Sequence, residues 1–564
     1  MTRRRWSIAA SVVVAVVIVL FVVGTFIQQP RALFGDGGVF RPDESSTSSP
    51  TVEPTPEPWT ELDLPGYDAD PGPLTLTPVA DAGGEPITAS FALEPGASPV
   101  GGTVGLSFDA TELASELWDS PHSNLTLMLS ELNRPALRFG GNGVDRRMWW
   151  TSSDEPAPSW ADVTVTPADL ERVAATAEDV DSLVTIDLDL GHDDAARAAD
   201  MAAHAREAFG DRLLAVAIGN EPNGFFHENQ PQLAVRDKSW GPEPYQESLH
   251  EYSAALEKAS PGIPVAGPGA YDTTWMRAFT EAELPNTAAL TMHWYPLWDC
   301  KGPASSIGNP TLEDLTSPAL RERTRELVDL GVGVAEENDL PLWMEETGPT
   351  SCPGTNETSR THAQALWTSD FTLTAAEAGA ERLAFHSTLQ ACSGGAPMSP
   401  ICANGTLEDP GLIAAGRTSY LSLMQLGYLP EGQVLAPHVS GDGAVMVHGV
   451  YGDDGSIALN LVDLRDPSAA DDSADGGAVA VEVSAPSGLP GDAPQRWDLA
   501  DGSRLSGDAF DARESALTAP AVLDGEFVDA TLAPAQPLSV TSEPGTVTLL
   551  RLEPASSGAE PSDG

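Results

Sequence analysis

Two stretches of this 564-residue chain end an apolar run on a carboxylate. LLAVAIGNEPN stops at Asn220-Glu221-Pro222, and LPLWMEETGPTSC stops at Glu345-Glu346-Thr347. An acid at the end of such a run is poorly solvated on one side, which suits a group that must hold and release a proton near neutral pH. A second carboxylate on the same rim is what glycosidic bond cleavage requires. One group protonates the leaving oxygen, and the other attacks the sugar or activates water. Asn220, beside the first acid, offers a hydrogen bond to a sugar hydroxyl. Taken alone, Asn-Glu-Pro is also an ordinary helix start, so it is the pair that carries the argument. Which of Glu345 and Glu346 faces the mouth is open at this point, because side chains alternate along a strand and only one of two neighbours should point inward.

Other polar residues cluster near strand ends. His293 and Tyr295 are two apart and share a face, as subsite groups or as aromatic core filling. Gly140, Gly141, Asn142 and Asp145 follow another apolar run, where glycine permits close backbone approach to a sugar. Arg138 lies within that run and is placed to support carboxylates electrostatically, while His386 reads equally well as structural. The chain has no EF-hand loop and no His-Glu-x-x-His motif, so no metal and no cofactor is expected.

These residues need elements to hold them. Apolar strands are expected at Val104–Asp109, Ala136–Gly141, Leu183–Leu190, Leu213–Asn220, Ile263–Gly269, Ala289–Pro296, Pro341–Thr347 and Arg382–Thr388. Amphipathic helices are expected at Thr166–Asp179, Asp193–Phe209, Pro244–Lys258, Pro318–Asp339 and His362–Gly379, with Thr166 and Ser317 as caps. Eight strands alternating with helices predict an α/β fold, a (β/α)8 TIM barrel over 101–428. A doubly wound open sheet is the alternative, but GLSFDATEL lacks the glycine-rich phosphate turn that would mark one. Short alternating runs over 429–553 predict a C-terminal antiparallel β-sandwich, and residues 71–100 supply strands to it.

In their order and phase, GLSFD, LRFGGNGVD, AIGNEPN, MHWYPL, EETGPTSC and RLAFHS resemble glycoside hydrolase family 79, the β-glucuronidase and heparanase-like enzymes, over about residues 80–553. The resemblance implies a retaining glycosidase with Glu221 as acid/base. It selects Glu346 over Glu345 as nucleophile, because the family's nucleophile is followed by a small residue and a serine-rich turn. It also implies that Tyr295 hydrogen-bonds the nucleophile, that His293 lines the subsite, and that the substrate carries a uronic acid. Lys301, Arg360 and Arg146 are candidates to meet that carboxylate.

Composition sets the surroundings. With 41% hydrophobic residues most of the chain folds, yet 83 acidic against 29 basic residues leave a net charge of −54. Such a surface repels nucleic acid, which is excluded as a partner. Arg3-Arg4-Arg5 precedes an apolar run, Ile8–Ile27, long enough to cross a bilayer, so residues 1–30 are expected to be a cytoplasmic stub and signal anchor. A cleaved signal peptide is the alternative. Residues 31–70 read as a Pro/Ser/Thr-rich stalk and 554–564 as a tail, leaving the barrel outside the cell membrane. Four cysteines suit that compartment. Three pairings are possible; we expect Cys392–Cys402, which closes a short loop, and Cys300–Cys352, which joins the loops after the sixth and seventh strands. The rival functions are a hydrolase or transglycosylase acting on a neutral envelope polysaccharide, and a non-catalytic carbohydrate-binding envelope protein.

Overall fold

The computed structural model describes residues 64–555, apart from 227, 229–233, 303–305, 307, 353–355 and 473–476. The expected anchor, most of the stalk and the C-terminal tail lie outside the described residues. Among the described residues, no helix is long and apolar enough to cross a membrane.

Eight parallel strands close into a barrel. They are β1 (Val104–Asp109), β2 (Ala136–Gly140), β3 (Val184–Leu188), β4 (Leu213–Ile218), β5 (Val265–Pro268), β6 (Thr287–Trp294), β7 (Leu342–Thr347) and β8 (Ala380–Ser387). β8 pairs with β1 to close the ring. The helices that follow each strand are α1 (Leu125–Ser130), α2 (Pro167–Asp179), α3 (Ala195–Phe209), α4 (Pro242–Ala259), α5 (Thr273–Glu281), α6 (Pro318–Glu336), α7 (His362–Glu377) and α8 (Thr418–Leu426). Of these, α1 and α5 were not expected from sequence, while α8 coincides with the last helix read from it, near Arg417–Leu426. Thr166 and Asp169 form a reciprocal capping box on α2, and the Ser317 hydroxyl accepts from Ala319 N–H at the start of α6. The open-sheet alternative is excluded by closure.

The second domain is a folded sheet built around its own apolar core, including Phe91, Leu435, Val447, Leu459, Val481 and Val540. Gly432–Val439, Val445–Gly452, Ile457–Asp463, Thr546–Pro554 and Trp497–Ser506 run antiparallel in that order. Gly83–Ala92, which precedes the barrel, joins this sheet and pairs antiparallel with Gly432–Val439. It pairs parallel with Val479–Val483, a departure from a purely antiparallel sandwich. Parallel pairing needs a long crossover; here the whole barrel lies between the two strands.

α7 is buried along nearly its whole length because it packs between barrel and sheet. At that seam His448 of the sheet bonds Glu377 Oε1 (2.7 Å) and Asp370 Oδ1 (3.1 Å) of α7. Arg321 of α6 bonds the same Asp370 (2.9 Å). The disulfides are Cys300–Cys352 and Cys392–Cys402, with Cα atoms 5.7 and 4.9 Å apart.

Candidate active site

β4 delivers Glu221 just beyond its last residue, at φ 48° and ψ 61°, a left-handed conformation that a non-glycine residue adopts only when its surroundings impose it. Its Oε1 lies 3.2 Å from His293 Nδ1, on β6. Gly269, at φ +68° on the loop after β5, runs so close to this imidazole that an added Cβ would lie 2.9 Å from its Nε2.

β7 delivers Glu346 opposite. Tyr295 OH donates to its Oε1 (2.7 Å), and Arg138 Nη1 donates to its Oε2 (2.6 Å). His386 Nδ1 is 3.4 Å from Oε1. Burial raises the pKa of Glu346, but the hydrogen bond to His386 and the positive charges of His293 and Arg138 more than offset it and hold the carboxyl well below its ordinary range. Burial pulls the other way on His386, yet its contact with Glu346 holds its pKa above the ordinary value. Burial and the Glu346 carboxylate keep the Tyr295 phenol protonated, so it remains a donor.

One oxygen of Glu221, one nitrogen of His293 and one oxygen of Glu346 lie within 4.8 Å of one another. Among the described residues, these three are also the group of side chains that could hold a cation. The Arg138 guanidinium already sits on Glu346, so a metal ion there would face a fixed positive charge. The set therefore suits proton transfer and nucleophilic attack better than metal binding.

Arg138 is the hub behind the pair. Besides Glu346 it donates to Ser107 Oγ (3.0 Å), Asn220 Oδ1 (2.7 Å) and Asp187 Oδ2. Burial raises the Asp187 pKa to about 6 against the opposing pull of Arg138. Gly140 is required for this packing: a Cβ there would collide with the Arg138 guanidinium and with Asp187. Its place is thus to make room for an arginine.

The expected sugar-contacting residues differ in the hydrogen-bonding capacity left to them. Asp145 is fully buried behind the site. Its Oδ1 accepts from Leu190 and Gly191 N–H (2.8 and 2.9 Å) and its Oδ2 from Asn220 N–H (2.9 Å), so it ties the loops after β3 and β4 and is not free for a sugar. Burial, then Asp189, raises its pKa to about 7. Gly141 is buried at φ +69°, and exposed Asn142 engages Arg146 Nη1 (2.8 Å). Asn220 spends its carbonyl on Arg138, while its buried Nδ2 has no protein partner.

Glu345 differs from the parity expectation. Both glutamates face the barrel axis, because the register slips around β7: Met344 pairs with Met292, but Glu346 pairs with the next residue, His293. Glu345 is spent on Arg382 Nε (2.9 Å) and Thr185. Thr185, Asp187 and Arg382 were not anticipated. Thr185 and Asp187 are two apart in the otherwise apolar β3, the periodicity that could have flagged them. Tyr271, 41% exposed on the loop after β5 and within electrostatic reach of Glu221, was also missed.

No protein-family model and no curated protein matches this sequence. Solved structures do match its fold. A 4-O-α-L-rhamnosyl-β-D-glucuronidase from Fusarium oxysporum is 17% identical, with 85% of this chain and 100% of that chain covered and a TM-score of 0.58. A family 51 arabinofuranosidase from Xanthomonas axonopodis is 16% identical, covering 83% and 100%, with TM-score 0.58. An α-L-arabinofuranosidase from Thermotoga maritima is 14% identical, covering 83% and 99%, with TM-score 0.55. The chain thus has the barrel-and-sheet fold found in these glycosidases.

Proposed function

We propose that this chain is a retaining glycoside hydrolase, with Glu346 as nucleophile and Glu221 as general acid and base, acting on β-glucuronides or related uronic-acid glycans as the resemblance to family 79 implies. The observation that carries the reading is the spacing of the two carboxylates, with oxygens no more than 4.8 Å apart. A retaining enzyme brings its carboxyl groups to about 5–5.5 Å, whereas an inverting one leaves about 6.5–9.5 Å for a water.

In the first step a Glu346 oxygen attacks the anomeric carbon as the glycosidic bond breaks and the Glu221 proton passes to the leaving oxygen. In the second, Glu221 takes a proton from water, which attacks the same carbon and releases Glu346. Arg138, Tyr295 and His386 keep Glu346 ionised and aimed before attack, without reorganisation during it.

NMR of the first-formed sugar tests the reading. Retention of the substrate's anomeric configuration is expected on an aryl β-glucuronide, and inversion would sink the mechanism. Turnover confined to uncharged glycosides would leave the mechanism standing and overturn the uronic-acid substrate. We further propose that residues 8–27 anchor the chain in the cell membrane with the barrel outside. Protease treatment of intact cells should then release a soluble, active fragment through the stalk, and a mature chain starting between residues 25 and 45 would contradict it.

A further inference from the structure

Glu221 enters the mouth of the barrel on a turn beyond β4, so something other than the strand ladder must aim it. At φ 48° and ψ 61° it holds a conformation that a residue with a Cβ leaves unless its neighbours fix it. Upstream, Asn220 is fixed twice: its N–H donates to Asp145 Oδ2 (2.9 Å), and its Oδ1 accepts from Arg138 (2.7 Å). Downstream stands Pro222, which has no N–H to donate. Its carbonyl is therefore the single polar backbone group by which that residue can be held.

That carbonyl is taken by an indole. Trp240 Nε1 donates to Pro222 O (2.8 Å), beside a longer bond from Phe225 N–H (3.3 Å). Trp240 returns to the strand end because the intervening loop closes on itself: the N–H groups of Val235 and Arg236 both donate to Phe225 O (3.0 and 3.3 Å). The Trp240 ring stacks on Phe225, with centroids 5.5 Å apart and planes at 23°, and on Trp275 of α5, at 6.4 Å and 27°. It also meets Tyr245 of α4 edge-on, at 6.2 Å. Arg236 keeps its guanidinium 4.9 Å from the same ring centroid while bonding Leu190 O (2.6 Å) and Asp193 Oδ1 (2.8 Å) on the loop after β3. The indole is thus braced by the loops after β3 and β4 and by α4 and α5. Any large apolar ring would satisfy such a stack. What the stack does not need is the N–H, and that N–H is spent on the residue next to the acid.

We propose that Trp240 is a positioning residue for proton transfer: its indole N–H, acting through Pro222, sets the direction in which Glu221 presents its proton to the leaving oxygen. The inference rests on the reading of Glu221 as general acid. Proton transfer needs its heavy atoms within hydrogen-bond reach, about 2.6–3.2 Å, and a misplacement of about 1 Å costs on the order of a hundredfold in rate. Upstream bonds alone leave the far side of the turn free to swing, and Pro222 O is where that swing is stopped.

The test is the dependence of kcat/KM on the leaving group, because that constant reports the steps up to formation of the glycosyl-enzyme. The full chain and its Trp240→Phe variant are assayed on dinitrophenyl, phenyl and methyl β-glycosides of the sugar that the parent accepts. Trp240→Phe keeps a ring for the stack, and Pro222 O keeps its bond from Phe225, so the unfolding midpoint should stay near the parent's. On the phenyl and methyl glycosides kcat/KM should fall about ten- to a hundredfold, less than the whole worth of an acid group, about 10²–10⁴-fold. On the dinitrophenyl glycoside, whose leaving group departs without a proton, the change should stay within about threefold. Arg236→Gln removes the cation beside the indole and should act with the same leaving-group dependence by a smaller factor, which carries the test if Trp240→Phe fails to fold. A loss equal on all three leaving groups, or no loss, in the folded variants assigns Trp240 to packing alone and overturns the inference, with the hydrolase reading intact. A parent chain that cleaves no member of the series removes the hydrolase reading, and the inference falls with it.

Discussion

Glu346 and Glu221 divide the chemistry, and their substitutions should fail differently. Glu346→Gln should abolish cleavage of every glycoside, because no covalent intermediate can form. Glu221→Gln should lose about 10²–10⁴-fold on substrates whose leaving group needs a proton. Aryl substrates with acidic leaving groups should suffer far less, and azide should restore turnover by replacing the water that Glu221 no longer activates. Arg138→Lys keeps the charge but cannot serve Ser107, Asp187, Asn220 and Glu346 together. A fall of roughly a hundredfold in kcat/KM is expected, measured on the same aryl substrates. The two acids were legible because each interrupts an apolar strand at its end. Asp187 and Arg382 were not, since each is explained only by a partner distant in the chain.

At the scale of the element, β7 holds two acids with different work. Glu345→Ala removes the partner of a buried Arg382, and breaking a buried pair costs about 3–5 kcal/mol. Thermal unfolding should therefore show a large loss, while activity per folded molecule stays well above that of Glu346→Gln. Alternation along a strand could not foresee this, because a single register slip is a property of pairing with β6 and leaves no mark in local sequence. The Cys300–Cys352 bridge joins the loops after β6 and β7, beside Tyr295 and Glu346. Replacing both cysteines by serine should lower kcat/KM proportionally more than it lowers the unfolding midpoint. Equal losses would assign the bridge to global stability instead.

Across the whole molecule, barrel and sheet are joined by ionised groups as well as apolar packing. Burial lowers the pKa of His448, but Glu377 and the bonds to Asp370 and Glu377 raise it to about 9. Asp370 is held at about 2, burial being outweighed by Arg321 and His448, and Arg325 lies 3.6 Å from Glu377. A histidine pKa raised on folding stabilises fully below its unfolded value, near 6.5, and that stability is lost as pH rises through the folded value. About 3 kcal/mol should thus disappear between pH 6.5 and 9. His448→Gln should flatten the pH dependence of the unfolding midpoint over this interval. By itself, the sequence determined the alternating barrel, the second domain and the two strand-end glutamates, because periodicity and burial are local properties of the chain. Only the tertiary structure decided which glutamate is committed to Arg382 and that Asp145 braces loops behind the site. Each of those outcomes depends on which group arrives from a distant part of the chain, a guanidinium for Glu345 and backbone N–H groups for Asp145, and such pairing is set only when the barrel closes.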